Sequence, residues 1–211
     1  MNPSFQKTLQ TVAERVSEAS LAEAQVSPGG DQKRWSGQGV AQHLILSFRS
    51  TATEVRGWLN SKRGPGYSPG WRQRIIRAQL FWFGAMNRGV PAMHSLYPAP
   101  SAPQDGKALA ARLLAEGEAL DQALNEGRRK YRMRPCGIHP VYGPMNEEQW
   151  RTYHNVHCLH HLVQFEEAIA FARSHPELLG TPAREARRTG NGSVASKRGS
   201  SIRAPQCREG A

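Results

Sequence analysis

The stretch that decides the fold is HNVHCLHHLVQF, residues 154–165, which holds four of the chain's eight histidines. At about 100° per residue, His154, His157 and His161 lie within about 60° of one another on a helix. Cys158 is turned about 100° away from His157 and is a poor partner for it. His157 and His161 are four residues apart, the spacing with which helices present two imidazoles to one zinc ion.

A third histidine is expected from WSGQGVAQHL, residues 35–44. Ser36 is a good N-cap for a second helix, and Trp35 and Val40 occupy the positions of a hydrophobic staple. His43 is the only histidine on this helix. One narrow arc of the helix is unusually polar for a buried stripe, and it holds Val40, His43, Ser47, Thr51, Glu54 and Trp58.

Together these histidines predict a metal site. Three neutral imidazoles from His43, His157 and His161 would hold a divalent first-row metal and leave positions open, as in catalytic zinc sites. Zinc is the default choice, and nickel, iron or copper also suit imidazole. Two alternatives remain open: hydrogen-bonded core histidines without metal, or a solvated histidine face. The large apolar neighbours Trp150 and Phe165 argue against the solvated face.

Helical spacing of apolar residues predicts four long helices and one short helix, with no convincing alternating strand. For the last helix, Asn146 is the expected N-cap, with Gln149 at its third position. The pattern therefore predicts an all-α fold, a four-helix bundle with an extra short helix. The predicted helices cover residues 3–24, about 36–60, 71–89 (the short one), about 107–130 and about 147–174.

The C-terminal segment differs in composition from the rest of the chain. From Thr181 onward, seven basic and two acidic residues give a net +5, out of +11 for the whole chain. Large apolar residues are almost absent there, so the segment cannot offset the entropy cost of ordering. We therefore predict a bundle domain over 1–175 and a disordered basic tail over 176–211, which could touch polyanions without specificity.

The location of the protein is predicted from what the sequence lacks. The first 25 residues carry no secretory-signal pattern, and the most apolar short stretch, residues 78–86, is too short to cross a bilayer. Three scattered cysteines do not make a disulfide framework. We expect a cytoplasmic protein that does not bind membranes.

The order of these motifs resembles the DinB-like superfamily of four-helix-bundle metalloproteins. That family opens its second helix with Trp-Ser followed by a metal-binding His-Leu, here Trp35 to Leu44. Its last helix carries H-x-x-H-H and a Gln three residues on, here His157 to Gln164. The stretch HPVYGPMNEEQW, residues 139–150, is similar to the lead-in of a branch with no assigned function. The resemblance covers roughly residues 1–175.

The resemblance implies an up-down-down-up bundle with His43, His157 and His161 as metal ligands. It makes His160 a supporting or packing residue and gives His154 no settled role. Some members resemble transferases or isomerases that use mycothiol, bacillithiol or glutathione, in which the metal lowers the pKa of the thiol. This chain reads HHLVQF where H-H-R-G-Q is commoner, so the identity of any thiol cofactor is open.

Three functions are weighed on this basis: a metal-dependent enzyme acting on a small-molecule substrate or a low-molecular-weight thiol, a non-catalytic or stress-associated metal-binding bundle, and weak polyanion binding. No nucleic-acid motif is present, so specific nucleic-acid binding is not expected. A homodimer is left open. The catalytic residues are unknown, and the residues considered for supporting roles are Glu54 as base, Tyr153 and Gln164 as orienting groups, and Arg134 or Arg151 at the bundle mouth.

Overall fold

The structure is a computed structural model, and it describes residues 3–29, 34–61, 68–86, 92–99 and 101–179. Within these ranges the chain is mainly helical, with one small two-stranded sheet. Two short 3-10 turns, His94–Leu96 and Pro176–Leu178, complete the regular structure. The helices are α1 (Pro3–Ser17), α2 (Leu21–Gln25), α3 (Gly37–Asn60), α4 (Trp71–Phe83), α5 (Gly106–Tyr131) and α6 (Glu147–Ser174).

Helices α1, α3, α5 and α6 form the bundle, and contacts between them fix the helix directions. The amide of Gly106 donates to the carbonyl of Ala19 at 3.0 Å, so α5 begins where α1 has ended. A Cβ at Gly106 would lie 2.2 Å from the carbonyl oxygen of Val16, so only glycine fits this approach. The side chain of Gln38 accepts from the amide of Gln104 at 2.7 Å, so α3 starts at the same end as α5.

The last helix runs parallel to the first. Asn155 donates to the hydroxyl of Ser4 at 3.1 Å, and Arg15 donates to Glu166 at 3.1 Å, so α1 and α6 pair in the same order along the chain. With α3 and α5 both running the other way, the order is up-down-down-up. The predicted all-α four-helix bundle is confirmed. Apolar side chains from all four helices fill its centre, among them Leu9, Val12, Leu44, Phe48, Leu113, Leu120 and Phe165.

Helix ends follow local capping chemistry. The caps predicted at Ser36 and Asn146 are confirmed: each side chain accepts a backbone N–H of the first helical turn. The single helix predicted over 3–24 is wrong, because Ser20 and Glu23 form a capping box that starts α2 as a separate helix. Helix α4 ends earlier than predicted because Gly84 adopts φ 59°, a left-handed conformation that stops the helix.

A small hairpin precedes α6 and was not predicted. Strand β1 (Gly137–His139) pairs antiparallel with β2 (Gly143–Met145). Side chains from two helices hold it in place. Glu54 of α3 accepts from the amide of Ile138 at 3.0 Å, and Arg77 of α4 donates to the carbonyl of Pro144 at 2.6 Å. The hairpin is therefore fixed to the bundle by side chains as well as by its own backbone pairing.

Most of the predicted tail lies outside the described residues, and only 176–179 are described, with a 3-10 turn at Pro176–Leu178. Residues 180–211 lie outside the described ranges, so the domain boundary at residue 175 and the disordered tail stay predictions. Within the described part, none of the helices combines the length and the apolar character that crossing a bilayer requires.

A buried ionic network joins α5 to α6. The guanidinium of Arg151 is buried and contacts the carboxylates of Asp121 and Glu147, which are buried too. Asn125 accepts from Arg151 at 3.0 Å and donates to Asp121 at 2.9 Å. Arg151 therefore does not lie at a bundle mouth awaiting an acidic cofactor, and that suggestion was wrong. Its charge is used inside the fold.

Replacing Arg151 with methionine is expected to lower the free energy of unfolding by about 3–5 kcal/mol, because two buried carboxylates lose their shared cation. Urea denaturation measures this loss. The matched control is Arg49→Met, which breaks an exposed ion pair with Glu116 and should cost about 1 kcal/mol or less. Similar losses in the two variants would contradict a stabilising role for the network.

Candidate metal centre

Three histidines meet between α3 and α6. One ring nitrogen from each of His43, His157 and His161 lies within 4.8 Å of the other two, and all three side chains are buried. The ring centroids are 5.1 Å apart for His43 and His157, 4.6 Å for His43 and His161, and 4.5 Å for His157 and His161. Imidazoles from two helices distant in sequence therefore converge on one point, in an arrangement that can hold a metal ion.

The ring of His43 is oriented by the main chain. Its Nδ1 lies 2.9 Å from the carbonyl oxygen of Leu96, in the 3-10 turn between α4 and α5. Because a carbonyl only accepts, Nδ1 carries the proton and donates it. The lone pair is therefore on Nε2, which points toward His157.

The ring of His161 is oriented by a side-chain relay. Its Nδ1–H donates to the amide oxygen of Gln164 at 2.9 Å, and the Gln164 amide nitrogen donates to Nε2 of His160 at 2.9 Å. The lone pair of His161 is therefore on Nε2. Hydrogen bonds of this kind orient the ligand rings of metal sites. His160 thus supports His161 through Gln164.

His157 lies between the other two rings. Its Nε2 is 3.2 Å from Nε2 of His43, and its ring stacks on that of Tyr153 with centroids 5.2 Å apart. Because Nε2 of His43 carries only a lone pair, two arrangements satisfy this contact. Either His157 donates a proton into it, or a cation accepts both lone pairs. The Nδ1 of His157 is buried and finds no hydrogen-bond partner among the described residues.

The electrostatics keep all three imidazoles neutral at neutral pH. Burial is the main cause that lowers the pKa of each ring, and it lowers that of His161 to about 3. For His157, the proximity of the other imidazoles lowers the pKa further. Neutral imidazole is the form that binds metal, because a protonated ring has no free lone pair.

The donor set fits a first-row divalent ion. Zinc–nitrogen bonds of about 2.0–2.1 Å in tetrahedral geometry separate the ligand nitrogens by about 3.3–3.4 Å. The 3.2 Å between the His43 and His157 nitrogens already matches this spacing. His154 is not a fourth ligand, since its Nε2 is 3.1 Å from the Thr51 hydroxyl and the ring lies outside the group. Among the described residues the group therefore offers three candidate protein ligands.

Aromatic rings cover the triad on one side. The indole of Trp35 lies 4.7 Å from the ring of His43 and 6.2 Å from that of His161, centroid to centroid. Tyr97 meets Trp35 edge-on at 5.8 Å. Trp35, expected only as a hydrophobic staple, is thus also a wall of the site.

The polar arc predicted on α3 faces α6. One turn after His43 along α3, Ser47 forms a hydrogen bond with Tyr153. One turn further, the hydroxyl of Thr51 forms a hydrogen bond with His154. Tyr153 and Gln164, the two candidates for orienting groups, each contact a histidine of the triad. From His43 to Thr51 the arc therefore forms a polar seam between the two helices, whereas Trp58 at its end contacts Tyr131 of α5.

Glu54 and Arg134 do not join the site. Glu54 is eleven residues beyond His43, about 16 Å along the helix, and its carboxylate accepts from the hairpin amide of Ile138. It is therefore not placed to act as a base at the triad. Arg134 is exposed in the turn after α5, and nothing in the described residues brings it to the triad.

The fold and the site define a helical bundle with a triple-histidine group that can hold a metal ion. A family model described as "Protein of unknown function (DUF1569)" matches residues 84–168. This segment includes His157, His161, the hairpin and Leu96, and it begins after α3, so His43 lies outside it. Comparison with curated proteins and with solved structures finds no match.

His139 organises the hairpin turn beside this site. Its Nδ1 accepts from the amides of Val141 at 3.1 Å and Tyr142 at 3.2 Å, so its proton is on Nε2. The ring packs on Tyr153 at 4.7 Å, and burial lowers its pKa to about 4. Protonation of Nδ1 would remove the acceptor for both amides.

Acid is therefore expected to destabilise the fold through His139. Its folded pKa of about 4 lies below the unfolded value, near 6.5, so the stability it contributes is present above pH 6.5 and lost as the pH falls toward 4. His139→Asn keeps an acceptor for the turn and does not titrate. Between pH 7 and 4 this variant should lose about 2–3 kcal/mol less stability than the wild type.

Urea unfolding of chelator-treated protein at both pH values measures this difference. The control is His94→Asn, a change at an exposed histidine of the 3-10 turn, which should keep the wild-type pH dependence. Equal losses in the wild type and in His139→Asn would contradict the role of His139.

Proposed function

We propose that the protein is a metal-dependent enzyme whose divalent ion is held by His43, His157 and His161. The observation that carries the proposal is the convergence of these three rings, with the Nδ1 atoms of two of them tied to neighbouring oxygens so that their Nε2 lone pairs are available. Zinc is the first candidate, and nickel or iron would suit the same donors.

Three protein ligands favour an enzyme over a purely structural site. Structural zinc is usually held by four protein ligands, whereas catalytic zinc keeps a position for a reactant. A divalent ion here would supply Lewis-acid chemistry toward a thiol, a water or a carbonyl. The chain itself orients His43 through Leu96 and His161 through Gln164. Trp35 covers the triad on one side through its contacts with His43 and His161.

A thiol is the finer candidate for the second reagent. The support is the resemblance to the DinB-like superfamily, whose motifs fall here on the residues that converge. Under this proposal the protein is a thiol-dependent transferase or isomerase, and its partner is a small-molecule substrate or a low-molecular-weight thiol. The departure at Leu162 and Val163, where the commoner motif has Arg-Gly, leaves the class of thiol to experiment.

Burial favours a second candidate, a non-catalytic metal-binding bundle. Only 3% of His43, 6% of His157 and 7% of His161 is exposed to solvent. A reactant would have to reach a centre that is nearly closed, whereas a stored or structural ion would need no such access. The two candidates share the same ligands and differ in whether a small molecule can reach the ion.

Metal analysis tests the ligand set. Protein purified without a polyhistidine tag is expected to bind about one divalent ion per chain, identified by elemental analysis. His43→Ala and His157→Ala should each lower the affinity at least about 100-fold, beyond the usual effect of losing a supporting residue. Titration calorimetry measures the affinity.

The matched control is His94→Ala, because His94 is in the turn that holds Leu96 and is itself exposed. It should bind metal as the wild type does. Circular dichroism checks that each variant is folded. Unchanged affinity in folded His43→Ala and His157→Ala would overturn the assignment.

Access to the ion separates the two candidates. The cobalt-substituted protein, titrated with 2-mercaptoethanol, is expected to develop a thiolate-to-cobalt charge-transfer band, because three protein ligands leave a position for sulfur. The matched control is the S-methyl ether of the same thiol, which cannot form a thiolate and should give no band. A cobalt protein that gives no band with the thiol would favour the closed, non-catalytic bundle.

A further inference from the structure

Helix α4 carries an apolar face that is largely exposed in the described structure. Trp71 is 68% exposed, Ile75 63% and Trp82 81%. At about 100° per residue, these three positions fall within about 40° of one another, so they form one stripe. Phe83, 77% exposed, lies about 100° from Trp82 around the helix and flanks the stripe. We call Trp71, Ile75 and Trp82 the α4 stripe.

The same helix is anchored to the bundle on its other side. Leu80 is fully buried, and Arg77 donates to the carbonyls of Tyr142 and Pro144 in the hairpin at 3.2 and 2.6 Å. The α4 stripe is therefore displayed on a helix that is fixed to the fold.

The chemistry around the stripe is strongly basic. Over residues 61–90 the sequence has six arginines and lysines and no acidic residue, so this segment carries more than half of the net charge of +11. Three of the arginines lie on α4 itself. Arg72 and Arg74 are exposed, and the guanidinium of Arg72 lies 5.2 Å from the ring centre of Trp71.

We propose that the α4 stripe docks the protein on a lipid bilayer that contains anionic phospholipids. Tryptophan and phenylalanine favour the boundary between headgroups and acyl chains, and arginines beside them pair with lipid phosphates. Basic residues next to an aromatic and aliphatic face are the signature of helices that lie in the plane of a membrane. At 13 residues, about 20 Å, α4 would lie on the bilayer and not cross it.

The arginines and the apolar side chains of α4 together disfavour two other partners for this face, a second copy of the chain and nucleic acid. A second copy seated on the same face would bring another cluster of arginines against this one, and like charges would oppose the contact. Nucleic acid would match the charge, but the aliphatic side chain of Ile75 gains nothing from base stacking or phosphate contact. An anionic bilayer can contact both groups, because its phosphates pair with the arginines and its acyl chains contact the apolar side chains. This proposal departs from the expectation of no membrane and is independent of the metal site.

Vesicle binding of the full chain tests the proposal. Vesicles of phosphatidylcholine with about 30 mol % phosphatidylglycerol should bind the protein, whereas pure phosphatidylcholine should bind it at least about tenfold more weakly. The tryptophan emission should shift to the blue and be quenched by brominated acyl chains. Residues 181–211 contain no tryptophan, and because Trp35, Trp58 and Trp150 also emit, the contribution of α4 is the part of the shift that is lost in Trp71→Ser combined with Trp82→Ser.

Two variants locate the contact. Trp71→Ser combined with Trp82→Ser should lower partitioning in a flotation assay by about tenfold or more, because two large apolar side chains are lost. Arg72→Gln combined with Arg74→Gln should also lower it about tenfold and weaken its salt dependence. The control is Leu114→Ser combined with Met133→Ser, which removes exposed apolar residues on and just after α5 and should leave partitioning unchanged.

Several outcomes would overturn the proposal. Binding that is equal in the wild type and in the folded tryptophan variant would place lipid contact elsewhere, for example on the basic tail. Equal binding to neutral and anionic vesicles would remove the role of the arginines. A dimer that the tryptophan substitutions dissociate, without vesicle binding, would assign the stripe to a second copy. Preferential binding to single-stranded RNA through the stripe would assign it to nucleic acid.

Discussion

The rest of the site depends on one close contact: two imidazole nitrogens, from His43 and His157, lie 3.2 Å apart in the protein interior. Two lone pairs cannot face each other at this distance without a proton or a cation between them. The carbonyl of Leu96 fixes the proton of His43 on the far nitrogen, so His43 cannot supply the bridging proton. Burial opposes a positive charge on either ring. Either a neutral His157 donates its Nε2 proton to His43, or a cation accepts both lone pairs, so the group holds no charge of its own and can hold a metal ion.

Many of the buried polar groups of the bundle have partners on a neighbouring helix. Along the seam between α3 and α6, each helix provides partners for the other, so that Ser47 meets Tyr153 and Thr51 meets His154. Between α5 and α6 the buried polar groups are charged, and Arg151 forms ion pairs with two carboxylates, those of Asp121 and Glu147. The apolar core can therefore lie around these polar contacts, while the Nδ1 atoms of His154 and His157 find no hydrogen-bond partner among the described residues.

The sequence predicted the parts of this molecule that local chemistry determines. The starts of two helices, at Ser36 and Asn146, follow from capping preferences. The contact between His43 and His157 follows from helical periodicity, which places each histidine on the side of its helix that faces the other helix in the bundle. The hairpin was missed because each strand has only three residues and is held by Arg77 and Glu54 from distant helices. Arg151 was misplaced because nothing local distinguishes a buried arginine from an exposed one; its partner Asp121 lies thirty residues away.

The carbonyl that orients His43 belongs to the peptide backbone, so the side chain at position 96 does not supply this hydrogen bond. Any amino acid at position 96 supplies the same oxygen, so alanine scanning would score the position as dispensable. Selection would act instead on the shape of the proline-flanked turn that presents this oxygen. Side-chain replacement could then leave the role of position 96 unseen, whereas an insertion or deletion in the turn would displace the oxygen and free the ring.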